Sequence, residues 1–178
     1  YINKKCITVM CADNGIVEEG ISQSGKEVTL AVAKSMAMGT SSISVLCRAC
    51  NSQLMVVDMG IDSFDTKMYS MGVFNYKLMH GTNNFIKEKA MPFDISLRAV
   101  LTGIKMVENL KSKGISIIGT GEMGIGNTTT SSALSAAILN LPVKEVTGRG
   151  AGLNDVKLQK KIETIENGIN KYGFRSVS

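Results

Sequence analysis

The stretch Gly119–Thr130 holds the residue types best suited to chemistry in this sequence. It reads GTGEMGIGNTTT and places a carboxylate, Glu122, among closely spaced glycines. Glycines let a ligand approach the backbone, and the free N–H groups at the start of a helix bind anions such as phosphate. The sequence predicts an anion-binding loop that opens into a helix capped by Asn127 or Thr128. A tight connection without a ligand is the alternative that this pattern leaves open.

Glu122 distinguishes the loop from familiar phosphate-binding glycine motifs. No lysine follows the last glycine, as a Walker A loop requires, and the dinucleotide-binding pattern has no acid inside it. A carboxylate next to a phosphate weakens binding, so we expect it to have a proton-transfer or orienting task. Glu122 is therefore the candidate catalytic residue.

Two cations and one turn add to this picture. Arg149 lies in a second glycine cluster, Gly148–Gly152, and a guanidinium suits two-pronged contact with phosphate. Lys161 is a further candidate cation, although from composition alone an exposed surface lysine is the simpler interpretation. Asp13-Asn14-Gly15 follows a predicted strand, at the kind of edge where α/β sheets bind ligands. A plain turn explains that tripeptide equally well.

The elements that must position these residues alternate between apolar strands and helices. We expect strands over 6–12, 53–59 and 115–118. We expect helices over 28–38, 42–49, 94–113, 127–139 and 154–172, with Asp94 as the N-cap of the third. Residues 62–93 are predicted to be irregular, and residues 119–126 to form a loop. Near-continuous apolar strands favour a three-layer α/β fold, a Rossmann-like parallel sheet with helices on both faces, as a single domain over residues 1–178.

Composition excludes several classes of protein. The chain has 178 residues, 44% of them hydrophobic, and a net charge of +5. Its apolar runs are far shorter than the roughly 20 residues of a membrane-spanning helix, so we expect a soluble protein without a membrane partner. Lysines and arginines are scattered among acids, and tryptophan is absent. We therefore expect no nucleic-acid partner either, because stacking platforms for bases are scarce.

Cysteine and histidine offer no site of their own. Cys6 and Cys11 are five residues apart in a predicted strand, which places them on opposite faces, and only Cys47 and Cys50 have a metal-type spacing. We expect reduced thiols and no metal site. The single histidine, His80, lies outside any Ser/Asp or Cys constellation, so a catalytic triad within this chain is excluded.

Six motifs occur in the order in which one enzyme family carries them. They are ADNGIVEEGIS (12–22), EVT (27–29), VDMG (57–60), GTN (81–83), GTGEMGIGNTTT (119–130) and GRGAGL (148–153). Together they resemble the nicotinate-nucleotide:dimethylbenzimidazole phosphoribosyltransferases of cobalamin nucleotide-loop assembly. The resemblance extends over essentially the whole chain.

The resemblance implies a pentosyltransferase that moves phosphoribose from nicotinate mononucleotide to a lower-ligand base such as 5,6-dimethylbenzimidazole. The products would be α-ribazole 5′-phosphate and nicotinate, with inversion at the anomeric carbon. It also implies no cofactor, a homodimer and a cytoplasmic location. The alternative hypothesis is a non-catalytic or regulatory module that keeps the nucleotide-binding site but lacks the reaction.

The resemblance also assigns residues. Glu122 would be the acid near the reacting centre. The pocket for the aromatic base would be lined by Ser22, Lys26 and Glu27. The phosphate and ribose would be held by Met123, Gly124, Ile125, Gly150 and Lys161. The glycine pattern and the charge add Gly126, Asn127, Thr128 and Arg149 to the candidate substrate-binding set.

Two departures and the length bear on these assignments. The family has Asp-His-Gly where this chain has Asp13-Asn14-Gly15, and Pro-Gln where it has Gly25-Lys26. The lysine removes an amide from the base pocket, which leaves the accepted base open. Family members are about twice as long, and their usual general-base glutamate lies in a Gly-Glu-Gly segment beyond residue 178. We therefore expect a central fragment of a longer chain, inactive by itself.

Overall fold

Parallel strands form the sheet in the computed structural model, which describes residues 4–173. The strands are β1 (Lys5–Ala12), β2 (Gln53–Gly60), β3 (Phe74–Asn75) and β4 (Ile117–Met123). Their order in the sheet is β3-β2-β1-β4. Val9 of β1 pairs with Val56 of β2 on one side and with Gly121 of β4 on the other. The most apolar strand, β1, is therefore interior to the sheet, as expected for a parallel sheet.

Helices cover both faces of this sheet. The helices of the described chain are α1 (Glu27–Ala37), α2 (Ser42–Ala49), α3 (Lys67–Ser70), α4 (Phe93–Ser112), α5 (Asn127–Leu139), α6 (Val143–Val146) and α7 (Asp155–Lys171). Of these, α1 and α4 pack against the sheet from opposite faces. Ala33 and Met36 of α1 pack with Cys11 on one face. Leu110 of α4 packs with Cys6 on the other. The predicted three-layer, Rossmann-like sheet is confirmed, and so is the placement of Cys6 and Cys11 on opposite faces.

The predicted loop over residues 119–126 is largely wrong, because β4 continues to Met123. Gly119 pairs with Ile7, and Gly121 with Val9, in the parallel ladder. Pairing with an interior strand overrides the weak strand propensity of glycine. The connection between β4 and α5 shrinks to residues 124–126.

Two other boundaries differ from the prediction. Helix α4 begins at Phe93 with Pro92 as its N-cap, so Asp94 lies in the first turn instead of capping it. An acid there still interacts favourably with the helix dipole. The segment 62–93, predicted to be irregular, contains α3 and the short strand β3.

The stretch Glu27–Ala49 has the length and apolar composition of a membrane-spanning helix. The chain turns within it, however, at Gly39, which has a φ of 79°. The result is α1 with 11 residues and α2 with 8, each well below the roughly 20 residues that span a bilayer. Packing of α1 on the sheet accounts for its apolar composition.

The described chain divides into two compact units. We call residues 4–13, 27–81 and 91–124 the sheet unit, and residues 14–26, 82–90 and 125–173 the helical unit. The helical unit has its own apolar core, built from Ala136, Val143, Ile162, Ile165 and Ile169. The predicted single domain over residues 1–178 stays a prediction.

Candidate functional site

The first turn of α5 begins on a glycine. Gly126 is the N-cap and has a φ of 88°, a conformation that favours glycine. Its carbonyl accepts hydrogen bonds from the N–H groups of Thr129 (2.9 Å) and Thr130 (3.3 Å). Asn127 and Thr128 are the first helical residues and not the predicted caps, and the N-cap position itself, a glycine, makes no side-chain hydrogen bond. The first N–H groups of a helix and the positive end of its dipole attract anions, so this end of α5 is a candidate anion site.

Lys161 is a buried cation next to this helix start. Its side chain projects from α7, and only 1% of the residue is exposed. Its Nζ donates to Thr128 Oγ1 (2.8 Å) and to the Gly148 carbonyl (3.1 Å), and burial lowers the pKa of the ammonium. In the part of the chain that the structure describes, no carboxylate pairs with it. A buried cation with only neutral partners is well placed to receive an anion.

The backbone of Gly150 approaches the same ammonium. Its φ is 56°, and an added Cβ would lie 2.9 Å from Thr128 Oγ1 and 3.7 Å from Lys161 Nζ. The structure therefore brings together three residues that the sequence predicted to bind the nucleotide. We call Gly126, Thr128, Gly150 and Lys161 the cradle. Its binding of a nucleotide stays a prediction.

Arg149 makes contacts within its own turn. Its guanidinium donates to the Leu153 carbonyl (3.0 Å) and pairs with the Asp155 carboxylate at the start of α7. These contacts close the turn Gly148–Gly152 against the helix. The predicted contact of Arg149 with phosphate stays a prediction.

The predicted base-pocket residues are distributed over both units. In the helical unit, the Ser22 carbonyl accepts from Lys157 Nζ (3.4 Å), and the neighbouring Gln23 donates to the Gly152 carbonyl (2.7 Å). These bonds hold the Ser22 segment against the cradle side of that unit. Lys26 is exposed in the helical unit, and Glu27 is exposed at the first position of α1 in the sheet unit. The predicted role of Ser22, Lys26 and Glu27 in binding a base stays a prediction.

Glu122 lies on β4 in the sheet unit, opposite Met10 of β1. Desolvation of its carboxyl raises the pKa from 4.5 to about 8. The residue is nevertheless exposed on the edge strand, so solvent screens part of this effect. Burial, followed by the charge of Glu122, also raises the pKa of Cys11 to about 12, which keeps that thiol protonated. A carboxyl shifted toward neutrality is suited to exchanging a proton with a substrate.

The residues between Glu122 and Gly126 differ in burial and in the unit to which they belong. Met123 is half-buried against the core of the sheet unit, and Gly124 is buried. Ile125 is half-buried in the helical unit, where its carbonyl accepts a hydrogen bond from the side chain of Asn14 (3.3 Å). For Met123, core packing is thus the observed role.

Sequence reasoning missed a polar network at the end of β2. Asp58 is fully buried and accepts from the Ile61 N–H and the Tyr69 hydroxyl, both at 2.8 Å. Lys77 lies 3.4 Å from the same carboxylate. Burial and the hydrogen bond to Asp58 raise the pKa of Tyr69 to about 12. The network fixes the connection between β2 and β3; its residues are too far apart in sequence for a local pattern to reveal it.

No group of three or more His, Cys, Asp or Glu side chains within residues 4–173 is arranged to hold a metal ion. The candidate groups for chemistry are the cradle in the helical unit and the Glu122 carboxyl in the sheet unit.

Comparison with known proteins defines the class to which this chain belongs. The chain belongs to the phosphoribosyltransferase family, whose model matches residues 1–176. This confirms the family to which the six motifs pointed.

Individual relatives carry a more specific name. A protein of Ruminiclostridium cellulolyticum called nicotinate-nucleotide--dimethylbenzimidazole phosphoribosyltransferase is 43% identical over 169 residues, which are 95% of this chain and 47% of that protein. One of the same name from Clostridium acetobutylicum is 40% identical over 168 residues, 94% of this chain and 47% of that protein. Both names describe a transferase, and neither supports a non-catalytic module.

Solved structures of proteins from the same family also resemble this chain. The crystal structure of CobT from Thermus thermophilus matches with a TM-score of 0.90 and 30% identity, over 96% of this chain and 51% of that one. The chain thus spans about half the length of the relatives it matches.

Proposed function

We propose that this chain supplies the nucleotide-binding part of a phosphoribosyltransferase that moves phosphoribose from nicotinate mononucleotide to a lower-ligand base such as 5,6-dimethylbenzimidazole. The observation that carries the proposal is the buried ammonium of Lys161, which meets Thr128 and the Gly148 carbonyl without an ion-pair partner in the described chain. The names of the relatives support the choice of nucleotide and base.

In this proposal the cradle holds the 5′-phosphate. A phosphomonoester carries roughly −1.5 to −2 charges near neutral pH. It would be bound by Lys161 Nζ and by the first N–H groups of α5, with Gly150 leaving room for it. The negative charge compensates the desolvation of the ammonium, so the site favours a dianion over a neutral ligand.

The reaction then breaks one C–N bond and forms another. A ring nitrogen of the base attacks the anomeric carbon, and the bond from that carbon to the nicotinate nitrogen breaks, which releases nicotinate. The attacking azole loses its N–H proton to a general base, a role that the resemblance gives to a glutamate other than Glu122. Glu122 would be the acid near the reacting centre, and its raised pKa suits a carboxyl that exchanges a proton near neutral pH.

The base pocket would take its residues from the segment 22–27. Ser22, Lys26 and Glu27 would line it, with Lys26 where the family has an amide. Turnover measured with benzimidazoles, adenine and phenols identifies the accepted base. We further propose that the complete protein is a cytoplasmic homodimer. Light scattering would measure the mass of this dimer in solution.

Calorimetric titration with nicotinate mononucleotide tests the proposal on the protein in its complete natural form. Lys161→Met should weaken binding about 10- to 100-fold, as loss of charge-assisted hydrogen bonds does. Lys160→Met is the matched control, because it removes the same charge from the exposed neighbouring position; its affinity should stay within about twofold of the wild type. Equal affinity of the two variants, or no binding by the wild type, would contradict the proposal.

A further inference from the structure

Asn14 has a side chain whose contacts differ from what its position predicts. It directly precedes a short 3-10 helix, Gly15–Glu19, where asparagine is a favoured N-cap. Its side chain nevertheless makes no capping hydrogen bond there, and the residue is only 8% exposed. The amide is therefore buried and directed at other partners.

Those partners flank the start of α5. Asn14 Nδ2 donates to the Ile125 carbonyl (3.3 Å), and Oδ1 accepts from the Thr130 hydroxyl (2.8 Å). The amide orientation follows from chemistry, because a carbonyl oxygen only accepts hydrogen bonds. One side chain thus joins the residue before Gly126 to the first turn of the helix.

The same side chain limits where Gly126 can lie. An added Cβ on Gly126 would be 3.2 Å from the Asn14 Cβ and 2.7 Å from Val17 Cγ2. Because the N-cap of α5 is a glycine, which has no side chain to hold the turn, this packing and the two amide hydrogen bonds of Asn14 constrain the position of the first N–H groups.

Asn14 itself has a rigid backbone support. Its carbonyl accepts from the Val17 N–H (3.1 Å), and the Gly15 N–H donates to the Thr82 hydroxyl (3.2 Å). An added Cβ on Gly15 would lie 2.4 Å from the Thr82 carbonyl oxygen, so the backbone has little freedom. A side chain on such a base can fix the geometry of its partners.

We infer that Asn14 is a positioning residue that sets the N-terminal turn of α5 in the geometry that receives the nucleotide's phosphate. The inference rests on the proposed function. An amide is suited to this task because one group donates and accepts at the same time and does not titrate near neutral pH. A histidine at this position would do the same only while its ring is neutral, since an imidazolium has no acceptor for the Thr130 hydroxyl.

Steady-state kinetics of the complete protein between pH 5.5 and 8.5 tests the inference. Asn14→Ala should raise KM for nicotinate mononucleotide about tenfold, the loss expected for two hydrogen bonds, with a smaller change in kcat. Asn14→His should raise KM most at low pH, and the ratio of its KM to that of the wild type should fall as pH rises through about 6.5. Dividing the KM of the variant by that of the wild type cancels the pH dependence that comes from titration of the nucleotide's own phosphate. Asn170→Ala, at an exposed position on α7, is the matched control.

Hydrogen exchange separates this inference from the proposed function. The amides of residues 126–130 should exchange faster in Asn14→Ala than in Asn170→Ala, whether or not the nucleotide binds. A wild type that fails to use nicotinate mononucleotide would refute the proposed function alone. Unchanged exchange, a KM within twofold of the wild type, or a flat KM ratio for Asn14→His would overturn the positioning role.

Discussion

The two halves of the segment Gly119–Thr130 use glycine for different reasons. In the strand half, Gly119 and Gly121 face Ile7 and Val9 of β1, and an added Cβ on Gly119 would lie 2.5 Å from Ile7 Cδ1. In the turn half, Gly126 needs a φ of 88° and has Asn14 and Val17 against it. The strand glycines make room for a neighbour's side chain, whereas the turn glycine sets the backbone path into the first turn of α5.

Alanine at Gly126 should have the largest effect. A positive φ and a Cβ 2.7 Å from Val17 Cγ2 together should lower the free energy of unfolding by about 2–4 kcal/mol. Urea denaturation measures this loss. A cost below about 1 kcal/mol would show that the turn adapts easily and that the two halves do not differ in the way described.

Gly150→Ala should have an intermediate effect, mainly on ligand binding. Its Cβ would lie 2.9 Å from Thr128 Oγ1 and would disturb the hydrogen bond to Lys161. We expect nicotinate mononucleotide to bind about tenfold more weakly, as for the loss of one charge-assisted hydrogen bond. Gly152→Ala is the matched control, since its φ of 92° brings similar strain but no atom lies within 4 Å of the added Cβ. If calorimetry finds the same affinity for nicotinate mononucleotide in both variants, the assignment of Gly150 to the cradle is contradicted.

Gly119→Ala should be milder than Gly126→Ala. The clash is with the far end of the Ile7 side chain, which can change its rotamer, so we expect a loss of about 0.5–1.5 kcal/mol and unchanged nucleotide affinity. Urea denaturation and calorimetry on one preparation measure both. A marked loss of affinity without a loss of stability would indicate that the strand half also contacts ligand.

The smallest expected effect is on the pH dependence of stability and comes from the carboxyl of Glu122, which lies in the strand half. Its pKa is raised from 4.5 to about 8 in the folded protein, so between these values the folded state binds more protons than the unfolded state. Glu122 therefore contributes stability that is present below about pH 4.5 and lost as pH rises through about 8. Glu122→Gln should flatten this part of the stability profile, measured by thermal unfolding from pH 4.5 to 8.5. Solvent screens the exposed carboxyl, so the difference should be modest, and parallel profiles would contradict the shift.

Periodic patterns predicted the helices well. The spacing of apolar residues in α7 gave its extent, since Asn154 and Tyr172 are its two caps. The same pattern contained a signal for Lys161 that composition alone concealed: it falls three residues after Leu158 and four before Ile165, on the apolar stripe of the helix. A lysine on that stripe is buried, and the interpretation of Lys161 as an exposed surface residue was wrong.

Long-range contacts account for what the sequence did not show. Gly119-Thr120-Gly121 has the composition of a loop, and only the ladder to β1 makes it a strand. The role of Asn14 depends on Ile125 and Thr130, more than a hundred residues away. Glu122 was identified from its place among closely spaced glycines and from the family resemblance, but the rise in its pKa comes from surroundings that no local pattern contains.

A crystal structure of the complete protein with nicotinate mononucleotide would show directly where the phosphate binds. We expect a phosphate oxygen within about 2.7–3.0 Å of Lys161 Nζ, a charge-assisted hydrogen-bond distance, with further contacts to the first N–H groups of α5. A phosphate bound elsewhere, with Lys161 still directed only at Thr128 and Gly148, would contradict this expectation.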